Sequence, residues 1–252
     1  MEPSRAFLFV GGNARSGTTA LVALLNCHRD VFLMVERYLT EFLKGQLTAA
    51  HYARDRILAD SRGLPHLAEG EDMAARFDRA RLMGDKFPAL SAGFDLLDAQ
   101  FPGARLVYIV RNPFSVVESY QARFDEGSWK RDARRGIQQW NDSMRLGLAR
   151  VQAGQPLIVV RYETLFRSEP EMLALFAALG LDPAGVDMDR LRFLSAKAQD
   201  LAETAVPRNE DLRMLVSDEA DFGAYRALLR TQGLRAKDDT KTRPASRTVA
   251  AV

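Results

Sequence analysis

The 252-residue chain has few of the residues that build disulfides, metal centres and membrane spans. It has one cysteine, Cys27, so no intramolecular disulfide can form, and it has only three histidines. No apolar run approaches the roughly 20 residues that cross a bilayer, and the run from Ala6 to Val10 is too short for the core of a signal peptide. We therefore expect a soluble, cytoplasmic protein without a transmembrane segment.

A strong charge of one sign is also missing, since the formal net charge is only +2. Residues 235–252 carry five Lys and Arg against two Asp, and without them the chain is at −1. A general nucleic-acid-binding function is therefore not indicated. The same stretch has little apolar periodicity, which predicts a disordered basic tail after a single domain at 1–234.

Short apolar runs alternate with helical patterns along the chain. The predicted strands lie at 6–10, 31–35, 82–86, 105–110 and 156–160. Helices are predicted at 18–26, from Pro88 to Gln100, from Pro113 onward, at 127–152 and from Glu169 onward. This order predicts an α/β fold, in which a central parallel sheet is covered by helices on both faces and ligands bind at the carboxyl ends of the strands.

The segment between the first strand and the first helix, GGNARSGTT at 11–19, is rich in glycine and in hydrogen-bond donors. Glycines let backbone N–H groups converge on an anion, and the N-terminus of the next helix adds positive potential. Four residues add side-chain donors: Arg15, Ser16, Thr18 and Thr19. The spacing from Gly12 to Gly17 resembles a P-loop, but Thr18 stands where that motif needs lysine. The segment predicts an anion site on a P-loop NTPase-like three-layer sandwich and disfavours a standard ATPase or GTPase.

A second basic residue, Arg111, follows the predicted strand at 105–110. Enzymes that use Mg²⁺-nucleotides commonly place an aspartate at the end of such a strand to help hold the metal. Arginine offers a forked set of donors that suits a phosphate. We therefore expect a second phosphate site and no metal, with a kinase or other nucleotide-binding protein that uses ATP–Mg²⁺ as the alternative.

Three motifs in this order resemble the family of sulfotransferases that use 3′-phosphoadenosine 5′-phosphosulfate (PAPS). They are RSGTT at 15–19, VYIVRNPFSVVESY with Arg111 and Ser119 eight positions apart, and RYETL at 161–165. The resemblance implies PAPS as donor and 3′-phosphoadenosine 5′-phosphate (PAP) as product. It also implies that the loop from Arg15 to Thr19, including Gly17, binds the 5′-phosphosulfate, and that Arg111 and Ser119 bind the 3′-phosphate. Tyr162 is the candidate adenine contact, or else an amphipathic tyrosine that packs at a strand end.

The candidate general base also rests on the resemblance. Family members that act on phenols and steroids use a histidine in K-x-H-x-P, whereas this chain has GDKFP at 84–88 without histidine. The tyrosylprotein and carbohydrate subgroup instead uses a glutamate after the loop, and Glu36 in HRDVFLMVE lies 21 residues after Arg15, as in that subgroup. This implies Glu36 as base, with Glu41 as the fallback, and Lys86 with Arg15 as the cations that neutralise the leaving phosphate. Both Glu36 and Lys86 could instead be ordinary surface side chains.

The acceptor is only weakly specified by the sequence. The family resemblance implies a hydroxyl of a carbohydrate, lipid or small molecule, and the chain offers Tyr38, Phe42 and the segment 124–140 to line its site. These residues are equally compatible with core aromatics and a solvated helix face. Arg208, in PRNEDL, matches the family's basic cofactor loop poorly. A catalytically silent protein that only binds the cofactor is a further alternative.

Overall fold

The fold is built on one five-stranded sheet. The computed structural model describes residues 5–67, 70–203 and 209–231. Its strands are β1 (Ala6–Gly12), β2 (Val31–Val35), β3 (Leu82–Phe87), β4 (Arg105–Val110) and β5 (Ile158–Arg161). They are hydrogen-bonded in the order β2-β3-β1-β4-β5, and every pairing is parallel. The predicted parallel sheet is confirmed, and the five strands lie where the apolar runs predicted them.

Helices connect and follow the strands. In the described residues they are α1 (Thr18–Leu25), α2 (Leu39–Leu43), α3 (Arg54–Leu58), α4 (Met73–Arg79), α5 (Phe94–Gln100), α6 (Pro113–Asp125), α7 (Ala133–Gln152), α8 (Tyr162–Leu165), α9 (Glu169–Ala178), α10 (Met188–Glu203), α11 (Glu210–Glu219) and α12 (Phe222–Arg230). Short 3-10 turns lie at Ala49–Tyr52, Leu90–Gly93 and Pro183–Gly185.

Two predicted helix starts were wrong. Pro88 does not open a helix, because Leu90–Gly93 forms a 3-10 turn that packs so closely on β1 that a Cβ at Gly11 would lie 2.1 Å from Leu90 Cβ. The second long helix begins at Ala133, because the Asp132 side chain accepts a hydrogen bond from the Arg135 N–H (2.9 Å) and caps it there.

The strands alternate side chains between two apolar cores. Phe9 and Tyr108 face the core beneath α5, α6, α7 and α12, whereas Val10 and Ile109 face the core beneath α1, α9 and α10. Both faces of the sheet are therefore covered, as expected for a parallel sheet. The predicted three-layer α/β sandwich is confirmed.

The strand register brings distant segments together at one edge of the sheet. Val35 of β2 lies opposite Lys86 of β3, and Val110 of β4 lies opposite Arg161 of β5. The next residues, Glu36 on one side and Arg111 on the other, therefore emerge at the carboxyl ends of the strands, where parallel sheets bind ligands.

Other predictions concern the ends of the chain and the membrane. The predicted tail at 235–252 and the last residues of the predicted domain lie outside the described residues, so the domain boundaries stay predictions. In the part of the chain that the structure describes, no helix has the length and apolar character of a membrane span.

Candidate active site

The loop between β1 and α1 has the conformation of an anion-binding loop. Arg15 and Gly17 both adopt left-handed backbone conformations, with φ of 68° and 91°. Ser16 between them is fully buried, and its hydroxyl has no hydrogen-bond partner among the described residues. A buried hydroxyl without a partner is costly. In a loop that leads into a helix N-terminus, such a hydroxyl fits an anionic ligand whose oxygen accepts its hydrogen bond.

Arg15 joins this loop to α6. Its Nε donates to Ser119 Oγ at 2.8 Å, and its carbonyl oxygen accepts from Arg111 Nη1 at 3.4 Å. Burial lowers the pKa of Arg15, and the positive charges of Arg123 and Arg111 lower it further. The site therefore concentrates positive charge that a bound anion would relieve.

Arg111 is held at the end of β4 from two sides. Its carbonyl oxygen accepts from Trp140 Nε1 at 3.0 Å, and its guanidinium lies 4.3 Å from the centroid of the Tyr162 ring. Burial lowers the pKa of this guanidinium. An arginine whose charged form is disfavoured by burial, at the edge of a cavity, is suited to an anionic ligand.

Tyr162 packs between the loop and α10. Its ring lies so close to Gly17 that a Cβ added there would be 2.3 Å from Cδ2 of the ring, and its hydroxyl donates to the Ala198 carbonyl at 2.9 Å. The packing role considered from sequence is therefore present. The adenine contact stays a prediction. Because the hydroxyl is already bonded to Ala198, the ring would have to make that contact.

The glutamate of RYETL has a structural task that the motif did not reveal. One oxygen of Glu163 accepts from the backbone N–H of Asn112 at 2.8 Å and from its side-chain amide at 2.6 Å. The other oxygen accepts from Arg161 Nε at 3.0 Å. Asn112 caps α6, so Glu163 fixes the turn that follows Arg111.

Glu36 and Lys86 form an ion pair at the ends of β2 and β3. Lys86 Nζ donates to Glu36 Oε1, and the Glu36 N–H donates to the Lys86 carbonyl at 3.2 Å. The Lys86 side chain is 3% exposed, whereas the Glu36 side chain is 37% exposed. Glu36 has a left-handed backbone with φ of 55°, an uncommon conformation for glutamate. The candidate base thus reaches solvent from a constrained turn, with a buried ammonium against it.

Asp85 was missed from sequence, although it lies next to Lys86. It is fully buried, its Oδ2 accepts from the Tyr38 N–H at 2.9 Å, and its Oδ1 accepts from the Lys86 N–H at 2.8 Å. Burial raises the pKa of this carboxyl to about 7, against the opposing effect of its backbone hydrogen bonds. Asp85 therefore ties the turn after Glu36 to β3. The available signal was a charged residue inside the otherwise apolar strand of residues 82–87.

These groups surround one cavity of about 550 Å³, a volume common for ligand sites. Its lining includes Arg15, Gly17, Thr18, Thr19, Glu36, Lys86, Arg111, Ser119 and Tyr162. Among the site residues predicted from the sequence that the structure describes, Ser16 does not line the cavity. Arg208, also predicted, lies outside the described residues. The fallback base Glu41 does not line the cavity either. Two α6 residues that the sequence did not single out also line it: Ser115, one helix turn before Ser119, and Glu118, directly before Ser119.

Two of the aromatic acceptor candidates belong to the core. Tyr38 and Phe42 are 6% and 3% exposed, and Phe42 stacks on Phe87 with centroids 4.2 Å apart. Trp129 does line the cavity, where its ring lies 5.8 Å from the Arg15 guanidinium. Within the described residues, no group of three His, Cys, Asp or Glu side chains could hold a metal ion.

Comparison with known proteins gives one family and one fold. The pattern of the group described as "Sulfotransferase family" matches residues 8–184. The nodulation protein NoeE of Sinorhizobium fredii (strain NBRC 101917 / NGR234) is 28% identical over 223 residues, which cover 74% of this chain and 52% of that protein. The chain thus spans about half the length of this curated relative.

The similar solved structures are sulfotransferases that share the fold. The sulfotransferase domain from the curacin biosynthetic pathway has a TM-score of 0.54 and 18% identity, covering 85% of this chain and 97% of that one. The sulfotransferase domain of the Synechococcus PCC 7002 olefin synthase gives 0.53 and 20%, covering 86% and 97%. Mouse sulfotransferase SULT7A1, complexed with PAP, gives 0.50 and 12%, covering 90% and 89%. With a family pattern that covers most of the described sheet and the loop at its edge, this chain belongs to the sulfotransferase family.

Proposed function

We propose that this chain transfers a sulfuryl group from PAPS to a hydroxyl of a carbohydrate, lipid or small-molecule acceptor, with Glu36 as general base. The observation that carries the proposal is the shared cavity. Arg15 of the loop, the Glu36–Lys86 pair and Arg111 with Ser119 come from four separate segments and line the same 550 Å³ space. Membership of the sulfotransferase family supports the same chemistry.

The residues present fit the donor. PAPS supplies the sulfuryl group and carries two further phosphates, so its site needs several separated cations. Arg15, Lys86 and Arg111 provide three cations around one cavity, and the buried hydroxyl of Ser16 lacks a partner in the described chain. The related mouse sulfotransferase SULT7A1 was solved with PAP. We assign the loop from Arg15 to Thr19 to the 5′-phosphosulfate and the Arg111–Ser119 pair to the 3′-phosphate.

Glu36 and Lys86 have complementary tasks in this proposal. Glu36 removes the proton from the acceptor hydroxyl as the oxygen attacks sulfur, and its partly exposed carboxylate is suited to meet an acceptor that enters from solvent. Lys86 and Arg15 stabilise the negative charge that develops on the departing 5′-phosphate. The direct Lys86–Glu36 ion pair supports this division, because it keeps the base beside the cation that serves the leaving group.

Ligand-induced stabilisation tests the donor. PAP should raise the melting temperature of the chain, and ATP with Mg²⁺ should not, because the loop has Thr18 in place of the P-loop lysine. The reverse result would support the kinase alternative and overturn the proposal. PAP binding without any transfer from labelled PAPS across a broad acceptor panel would favour the silent binding protein.

Two variants test the assigned roles. Glu36→Gln should keep PAP affinity and lose roughly 10²-fold or more in transfer rate, the size expected for a general base. Glu41→Gln, a nearby glutamate outside the cavity lining, is the control and should keep the rate. Arg111→Ala should weaken PAPS roughly 10-fold or more, with little effect on adenosine 5′-phosphosulfate, which lacks the 3′-phosphate. Unchanged turnover in Glu36→Gln, or equal losses for both donors in Arg111→Ala, would remove these assignments.

A further inference from the structure

A second cavity opens beside the first. It has a volume of about 290 Å³. It shares Ala14 and Pro88 with the 550 Å³ cavity around Arg15, Lys86 and Arg111, which we call the donor cavity. One wall is a face of α7, where Arg135, Gln139 and Asp142 recur at the spacing of one helix face. A compound in this cavity would therefore lie directly beside the loop of Arg15.

The arginines of α7 and of the segment just before it divide into two groups by their partners. Three of them are paired with carboxylates on other elements: Arg134 with Glu219 at 2.6 Å, Arg145 with Asp221 at 2.7 Å and Arg150 with Asp98 at 2.8 Å. Arg135 and the preceding Arg131 both line the second cavity, and neither has a carboxylate within 4.0 Å in the part of the chain described.

Two polar side chains on the α7 wall keep hydrogen-bonding groups free, whereas most of the remaining lining is alanine, proline and leucine. Tyr120 donates its hydroxyl to Gln139 Oε1 at 2.9 Å, which fixes the amide and leaves its nitrogen without a partner among the described residues. The Asp142 carboxylate likewise has no hydrogen bond or ion pair there. Because Asp142 lies seven residues along α7 from Arg135, about 10 Å on the helix axis, the two charges serve opposite ends of the cavity.

We propose that the second cavity is the acceptor subsite and that it selects a polyhydroxy acceptor carrying a carboxylate, which Arg131 and Arg135 bind. This rests on the proposed function and names its substrate class. Arginine forks match carboxylates, and the Gln139 amide and Asp142 suit hydroxyl groups further along the cavity. The volume holds a ligand of about one sugar ring, and the presence of Asp142 disfavours a more highly charged ligand.

Direct binding of a matched pair of probes tests this. Methyl β-D-glucuronide and methyl β-D-glucoside differ in one carboxylate, and their affinities for the full chain can be measured by saturation-transfer NMR titration. We expect the glucuronide to bind roughly 10-fold tighter than the glucoside, as charge-assisted hydrogen bonds allow, and this preference to shrink at high salt.

Charge-removing variants locate the preference. Arg135→Gln and Arg131→Gln should each reduce the preference several-fold, whereas Arg134→Gln, a neighbouring arginine paired with Glu219, should leave it unchanged. Equal binding of the two probes, binding of neither, or an equal effect of all three variants would overturn the inference. PAP-induced stabilisation, measured on the same variants, should stay at the wild-type level. If PAP did not stabilise the wild-type chain, the proposed function itself would be rejected, so the two failures are distinguishable.

Discussion

The contact between the loop at 11–19 and Tyr162 can be measured through Gly17→Ala, which we expect to destabilise the chain by about 2–5 kcal/mol. Two costs add. The φ of 91° is left-handed, which costs a residue with a side chain about 1–2 kcal/mol. The new Cβ would lie 2.3 Å from the Tyr162 ring, and relieving such overpacking typically costs about 1–3 kcal/mol. The ring cannot move away cheaply, because its hydroxyl is bonded to Ala198 and the Arg111 guanidinium lies over it.

Gly45→Ala is the matched control. Gly45 has a similar φ of 69°, but an added Cβ meets nothing within 4 Å, so this variant should show the backbone cost alone. Urea denaturation of both gives the steric part as their difference, about 1–3 kcal/mol. In a Tyr162→Phe background the ring loses its hydrogen bond to Ala198, so the difference in destabilisation between Gly17→Ala and Gly45→Ala should shrink. If Gly17→Ala cost no more than Gly45→Ala, the packing of Tyr162 on the loop would be refuted.

Three further predictions concern groups that are buried or partly buried. Burial raises the pKa of Cys27 to about 11, so a thiol reagent at pH 8 should label it only as fast as the chain unfolds, and labelling as fast as a free cysteine would contradict its burial. The pKa of Asp85, about 7 when folded against an ordinary 3.8, makes its proton-linked stabilisation complete below pH 4 and lost as pH rises to 7. The stability of Asp85→Asn relative to wild type should therefore rise by up to about 4 kcal/mol over that window in urea titrations, and a flat difference would disprove the shift. Glu163→Gln removes a charge that holds Asn112 and should cost about 1–3 kcal/mol in the same assay, whereas an unchanged free energy of unfolding would show that the clamp is not needed.

The sheet could be predicted because buried parallel strands are short apolar runs. The runs at 31–35 and 105–110 match β2 and β4 residue for residue. That candidate site residues gather at one edge of the sheet followed from the same reasoning, since the carboxyl ends of parallel strands share an edge. Strand order did not follow, because nothing local in the sequence sets which strands are neighbours. The Glu36–Lys86 contact depends on the pairing of β2 with β3, so it had to await the structure.

Long-range partners also hid the supporting residues. Asp85 and Glu163 were overlooked because their tasks are defined by backbone amides of residues that are distant along the chain, Tyr38 and Asn112. The sequence around a single carboxylate in a strand or a motif does not indicate which distant backbone amide it will bind. The helix start at Ala133 was not predicted for a different reason. Several polar residues in this stretch can serve as a helix cap, and only packing decides which of them does.

The two cavities differ in how far the fold constrains them. The donor cavity includes Glu36, Lys86 and Arg111 at the ends of β2, β3 and β4, and strand register fixes the backbone positions of these residues. The proposed acceptor subsite is made from an exposed face of α7 and the 3-10 turn at Leu90–Gly93, neither of which belongs to the sheet. Substitutions at Arg135 or Asp142 can therefore alter acceptor choice at little cost to stability. Under the proposed function, the family motifs would report the donor, while the acceptor has to be inferred from the charge pairing of one helix.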